Sequence, residues 1–448
     1  TSKKVGCSTT SRPSPPRGPV PNAFNPSVSA ELPGPAWLAD LRREVAEGID
    51  DVAPPSSDEE VWRYSRIGDL ELDRFQPLVV QAPLVDPLAG PGATDVNAAT
   101  LVLRNGWLED SWISAEAAGL GVTAGPIGDL EDGAAYFASV LNVPVDLFGH
   151  LNRAFGPEPL AVVIPDGVRL DAPIVVRIHT DADSSALFPR LFVRGGLDSD
   201  VTIVEHHTSA DVVSMVAPVL EALVEADARL SHALIQDLGT GVWQFAHQVF
   251  RVAQNATVET FVAGLGGCYA RTRTDCRLVG RGAEAHLTAA YYGEGDQTHD
   301  FRTFQEHAAP DTTSELLFKG ALDDTSRSVY SGLIRVDPEA VRTRAYQTNR
   351  NIKLSPDAWA QSVPNLEIET DDVVCSHAST VSPVDEDQLF YLESRGVPTT
   401  IAERLLVEGF FNDVVKRAPT EAVGLALRAA LVERLDRRLR NFRPEAAA

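Results

Sequence analysis

The sequence is short of sulfur, of positive charge and of long apolar runs. It has one methionine, Met215, and four cysteines, Cys7, Cys268, Cys276 and Cys375, among 448 residues. Cysteines this few and this scattered exclude a disulfide framework. None has the Cys-x-x-Cys spacing of a zinc or cluster knuckle. Free thiols in a reducing cytoplasm are the expectation. Lys and Arg number 39 against 63 Asp and Glu, a formal charge of −24. Such a chain rarely assembles the basic patch that phosphate neutralisation needs, which excludes a general nucleic-acid binder and adhesion to anionic lipid. The apolar stretch from Gly133 ends at Asp146, too short to cross a bilayer. No apolar segment follows the basic residues at the N-terminus, so it does not read as a secretory signal.

Catalytic grammar is missing as well. There is no Gly-x-Ser-x-Gly elbow, no phosphate loop, and no Gly-x-Gly-x-x-Gly after a strand. Eight tyrosines and six tryptophans are thin in the repeats described below, which argues against a carbohydrate groove. Paired acids are too common to inform, and Asp323-Asp324 and Asp371-Asp372 read as turns.

Hydrophobic residues at 44% and charged ones at 23% are ordinary globular values. At roughly 150 residues per domain, two to four units are expected unless one repetitive element takes most of the chain. Residues 1–28 carry four basic side chains, no acid and six prolines, the composition of a disordered tail. Residues 29–157 form a mixed region in which helices dominate. Trp37, Leu38, Leu41, Val45 and Ile49 mark one helix face. Ser57 with Glu60 suggests a capping box opening a short helix, and a further helix is expected over Leu130 to Leu141.

From about Leu160 the period changes to two. Six segments can be laid over one another: DVTIVEHH from Asp200, ARLSHALI from Ala228, ATVETFVA from Ala256, AEAHLTAA from Ala283, TTSELLFK from Thr312 and AVRTRAYQ from Ala340. The recurrence, about 27 to 29 residues, is that of stacked supersecondary units sharing one core. Residues 158–382 therefore read as a β-helix, with a β-sandwich as the alternative. Residues 383–448 return to helical spacing. Thr400 and Glu403 suggest a second capping box, Ile401, Leu405, Leu406, Phe410 and Val414 form an apolar stripe, and another helix starts at Thr420.

His206 and His207 are adjacent and would face opposite sides of a strand, as ordinary polar positions. Cys268 and Cys276 read as buried structural residues. Cys375-Ser376-His377 differs: in a strand Cys375 and His377 share a face about 7 Å apart. A thiol and an imidazole suit iron or zinc. The acids Glu367, Glu369, Asp371 and Asp372 lie just upstream, where they could orient the imidazole. Spacing alone leaves a structural role standing beside this one.

Larger blocks carry more information: SRSVYSGLIRV (326–336), AYQTNRNIKLS (345–355), PNLEIETDDVVCSHASTV (364–381), DEDQLFYLESRGV (385–397) and AERLLVEGF (402–410). Through them the chain resembles the SufB/SufD family of iron–sulfur cluster assembly proteins, more loosely also in PAWLADLRREV (35–45) and EEVWRYSRIGDL (59–70). The resemblance implies a mainly β protein, a right-handed parallel β-helix flanked by N- and C-terminal helical regions. SufB-like members carry a cysteine near the stretch matching Gln347–Asn351 and a glutamate after the histidine of the later motif. Here that cysteine is absent and Ala378 follows His377, so the SufD-like branch matches better.

The resemblance implies a scaffold in the cytoplasm rather than an enzyme. Such a subunit pairs with SufB through the C-terminal end of the β-helix. It offers His377 across that joint as a ligand of the nascent iron–sulfur cluster, with Cys375 at a family position of less defined role. The SufC ATPase is expected on the C-terminal helices, over about Thr399 to Lys416, including Ile401, Leu405, Leu406 and Phe410. Participation of a reduced flavin stays open, as does a homodimer without SufB. The alternatives are a SufB-like homodimeric scaffold and a cytoplasmic β-helix enzyme acting on polysaccharide.

Overall fold

The structure, a computed structural model, describes residues 21–81 and 97–441. Between Leu160 and Pro383 the chain alternates between two sheets, and nearly every pairing between successive coils is parallel. Thr298–His307, Arg327–Val336 and Trp359–Ile368 follow one another in one sheet. Thr313–Leu322, Thr343–Lys353 and Val373–Pro383 do so in the other. This is a parallel β-solenoid of about eight turns.

The period comes from the turns. A residue with positive φ precedes six successive strands of the second sheet: Asp198, Asp227, Asn255, Gly282, Asp311 and Arg342. Asp, Asn and Gly tolerate this left-handed conformation best. Arg342 is the unusual occupant. Its guanidinium makes two hydrogen bonds to the Asp311 carboxylate one coil earlier, at 2.6 and 2.9 Å.

Strand alternation divides inside from outside. Leu230, Val258, Ala285, Ser314 and Ala345 stack in one inward column because their Cα atoms are register partners from coil to coil. The column belongs to one continuous apolar core through most of its length. Burial at about 25 cal/mol per Å² of apolar surface is the main force holding the coils together.

The outer faces are covered by the flanking regions. Trp62, Phe148 and Phe24 pack with Phe245 and Tyr269 over the first sheet. The ring of Phe148 stacks on that of Phe245 with centroids 3.6 Å apart. Over the second sheet lie the helices Thr399–Val415 and Glu421–Asn441. Their Val407, Phe411, Val423, Leu427 and Leu431 meet Phe261, Ala290 and Leu317. Lys319, 5% exposed, hooks the first of these helices by donating to the Phe410 carbonyl at 2.8 Å and to Asp413 Oδ1 at 2.7 Å.

The two ends of the solenoid differ. At the N-terminal end a hairpin, Ala99–Arg104 and Trp107–Ile113, adds an antiparallel strand to the second sheet. It turns through Asn105 and Gly106, both at positive φ, as a two-residue hairpin requires. Thr123–Pro126 does the same for the first sheet. At the C-terminal end Trp359–Ile368 and Val373–Pro383 are the last strands of their sheets, and no further strand pairs with either among the described residues.

Several local expectations are corrected. Residues 1–20 of the expected tail lie outside the described residues. From Pro21 the chain is ordered: Asn25 caps the helix Pro26–Ser29, and Phe24 is 2% exposed against Phe155 and Phe188. The helix Ala36–Glu47 forms as its spacing suggested. Ser57 caps nothing, because only the 3-10 turn Glu60–Trp62 follows. Over Leu130 to Leu141 helix is confined to Gly133–Tyr136, since Phe137 turns to extended ψ and Ala138 takes positive φ. Pro398 rather than Thr400 precedes the helix Thr399–Val415, so the second capping box is absent too. Thr420 does cap its helix, accepting from Val423 N at 3.2 Å.

Candidate functional site

The uncapped last coil brings the singled-out residues together. Val373–Pro383 pairs with Thr343–Lys353 so that Cys375 lies over Ala345 and His377 over Gln347. Ala345 and Gln347 are buried inward residues, so Cys375 and His377 end two inward columns at the open mouth of the solenoid. The half-buried Cys375 packs with Ile334, Val336, Ala340 and Ala345. Burial raises its thiol above the ordinary value, partly opposed by a backbone hydrogen bond with Ala345. It is held mainly as thiol at neutral pH. His377 is exposed.

The acids upstream do not orient this imidazole. Glu369 reaches the Arg335 guanidinium at 3.5 Å, and the Asp372 carbonyl accepts from Arg342 N. Among the described residues no hydrogen bond or ion pair joins them to His377, and no group of three or more His, Cys, Asp or Glu is arranged for a metal ion. One thiol and one imidazole are an incomplete ligand set.

Beneath His377 lies a buried polar layer whose role motif matching alone did not reveal. Gln347 donates through Nε2 to the Tyr330 hydroxyl, which also bonds Thr303 Oγ1 at 3.1 Å. Beside it the Tyr291 hydroxyl donates to Asn351 Oδ1 at 2.7 Å and accepts from Asn349 Nδ2 at 3.1 Å. Burial raises the Tyr330 and Tyr291 hydroxyls, keeping both neutral. Gly332 is required here: a Cβ on it would lie 2.1 Å from Gln347 Nε2 and 2.3 Å from the Tyr330 oxygen. The SGLIRV and AYQTNRN blocks thus encode one interior cluster.

The helical residues divide. Ile401 and Leu405 are 43% and 49% exposed, while Leu406 and Phe410 are half-buried and Phe410 packs toward the solenoid. Sequence reasoning missed two stronger members of this patch. Phe390 and Tyr391, on the helix Glu386–Ser394, are 71% and 57% exposed. Helical spacing conceals them, because that helix buries no residue.

The other histidines and cysteines fall elsewhere. His207 is buried and, with His232 from the next coil, holds Glu205 through bonds of 3.3 and 2.8 Å. Burial would raise that carboxyl, but the two imidazoles outweigh it and hold it at about 2. His206 is half-buried on the opposite face, as adjacency required. Cys276 and Cys375 are free thiols. Cys268 and Cys276 are both buried, as expected of them.

Residues 177–410 match the family model described as "SUF system FeS cluster assembly, SufBD core domain", more than half of the chain. The chain belongs to the SufB/SufD family. An iron–sulfur cluster assembly SufBD family protein of Mycobacterium leprae is 31% identical over 294 residues, 63% of this chain and 74% of that protein. The chloroplastic protein ABCI7 of Arabidopsis thaliana is 26% identical over 431 residues, 90% and 86% of the two chains. Iron–sulfur cluster assembly protein SufD of Escherichia coli is 26% identical over 322 residues, 69% and 76%. The SufB/SufD core thus coincides with most of the solenoid and reaches into the helix that carries Ile401 and Leu405. No helix among the described residues is long and apolar enough to cross a membrane.

Proposed function

We propose that this chain is a SufD-like scaffold subunit of the SUF iron–sulfur assembly machinery in the cytoplasm, with the nascent cluster as cargo. The observation that carries the reading is the uncapped terminal coil, with His377 and Cys375 at its mouth. Two free strand edges are a template for another chain's strands. A SufB-like partner that lays its own terminal coil against them continues both sheets. It also places its side chains opposite His377, where the incomplete ligand set is completed by partner thiolates.

The branch rests on sequence differences: no cysteine in Gln347–Asn351, and Ala378 after His377. The SufC ATPase docks on the exposed apolar patch of Phe390, Tyr391, Ile401 and Leu405. A patch of this kind on adjoining helices marks an interaction surface. Nucleotide-driven motion of SufC then acts on the joint through rigid bodies. The chain itself turns over no substrate.

Co-expression with candidate SufB and SufC chains, followed by mass determination, tests the assembly. A mixed complex is expected, and a chain that stays alone or pairs only with itself overturns the reading. Replacement His377→Ala is expected to leave folding and SufC binding intact and to lower cluster yield in the mixed complex. Full yield removes His377 from the mechanism.

A further inference from the structure

We propose that Gln347 is the positioning residue of His377: its side-chain carbonyl oxygen, unpaired in the structure, is the acceptor toward which the exposed His377 ring turns one N–H, leaving the other ring nitrogen facing out of the solenoid mouth. The purpose of this arrangement rests on His377 being the ligand offered at the joint.

The argument runs through the register. Gln347 lies directly beneath His377, one coil away, about 4.8 Å between backbones. Gln347 is 1% exposed. Its Nε2 is committed to the Tyr330 hydroxyl, which Thr303 holds from the other side. The amide is therefore oriented, with Oε1 as its free end. That oxygen is buried and has no hydrogen-bond partner within the chain. An oriented, buried, unpaired carbonyl is costly and calls for a donor. On its other side the column partner is Leu316, which has none. His377 is the neighbour in that column with an N–H to give.

The consequence is chemical. A neutral imidazole has one protonated nitrogen, and a hydrogen bond to that N–H selects the tautomer and fixes the ring. Ligating histidines usually donate their second nitrogen in this way. Of the upstream acids, which could have filled that role, Glu369 turns to Arg335 instead. Ser362 is the competing group. It stands over Tyr330 in the last coil, and its Oγ is also buried and unpaired.

The isolated full chain, labelled with 15N-histidine, is examined by NMR at about pH 8, where an ordinary imidazole is neutral. Neither partner nor cluster is present, so the result is separable from the fate of the scaffold reading. The expected result is a single His377 tautomer with a visible ring N–H signal, assigned by its loss in His377→Asn. In Gln347→Leu that N–H should exchange at least about tenfold faster, the upper scale of one net hydrogen bond, and the tautomers should mix. Unchanged signals from the other histidines report that the fold is intact. Ser362→Ala should keep the wild-type signal. Absence of a protected ring N–H in the wild type overturns the proposal without any variant. An unchanged signal in Gln347→Leu overturns it too, as does loss in Ser362→Ala.

Discussion

Replacing Asp300 should loosen the N-terminal segment from the solenoid. Its carboxylate is fully buried and accepts from Tyr269 OH at 2.5 Å, Arg271 Nη1 at 3.0 Å and Arg302 Nε at 2.6 Å. The same two arginines carry the segment that covers this sheet. Arg271 Nη2 donates to the Val61 carbonyl and Arg302 Nη2 to that of Arg63, both at 2.8 Å. The Arg271 guanidinium also lies 3.7 Å from the centre of the Trp62 ring. Asp300→Ala leaves two buried guanidinium groups without their counter-charge, a loss of about 3–5 kcal/mol.

The melting temperature should fall by several degrees, and trypsin should cut at Arg63 or Arg66 sooner than in the wild type. Burial would raise the Asp300 carboxyl, but Arg302 and Arg271 outweigh it and hold it below its ordinary value. Its contribution is therefore complete above about pH 3.9 and is lost as the pH falls further. The double variant with Arg302→Met should show coupling of at least about 1 kcal/mol. Stability of Asp300→Ala within about 0.5 kcal/mol of the wild type, the range of an ordinary surface change, would refute the reasoning.

Two further outcomes follow from geometry. Glu205, held at about 2 against about 4.3 unfolded, contributes on the order of 3 kcal/mol that is present above pH 4.3 and lost as the pH falls toward 2. Denaturant midpoints taken from pH 7 to pH 3 should fall less steeply in Glu205→Gln, which should start lower at pH 7; parallel curves would contradict the assignment. Ile401→Asp with Leu405→Asp should leave the melting temperature nearly unchanged, because both side chains are exposed, yet weaken SufC binding by at least about tenfold in a titration. Undiminished binding would move the docking surface elsewhere.

Periodicity in the strands was legible because a turn residue recurs with each coil, but register was not. The segments from Ala228, Ala256, Ala283 and Thr312 superpose correctly, since Arg229, Thr257, Glu284 and Thr313 are partners. The segment from Asp200 is one residue out, because Asp200 pairs with Arg229. The segment from Ala340 is three out, because Thr313 pairs with Arg344. A slip of one exchanges inside for outside. That is why the His207–Glu205–His232 contact, made between coils, could not be read from the adjacency of His206 and His207. Asn105-Gly106 is a hairpin signal legible in the sequence. The Cys375–His377 pair was legible as two residues on one face. Its setting was not, since Gln347 and Tyr330 stand on opposite sheets half a coil apart and meet only across the interior.

The asymmetry of the two ends limits what the solenoid can build. A stacked rod with matching live edges at both ends would add subunit to subunit and grow into a fibre. Here the N-terminal end finishes in antiparallel strands, which do not match the parallel strands that finish the C-terminal end. Two such rods joined mouth to mouth use up both C-terminal ends and leave only the unlike N-terminal edges outermost. Head-to-tail growth would have to join two unlike edges, so pairing at the mouth favours a closed pair over a fibre.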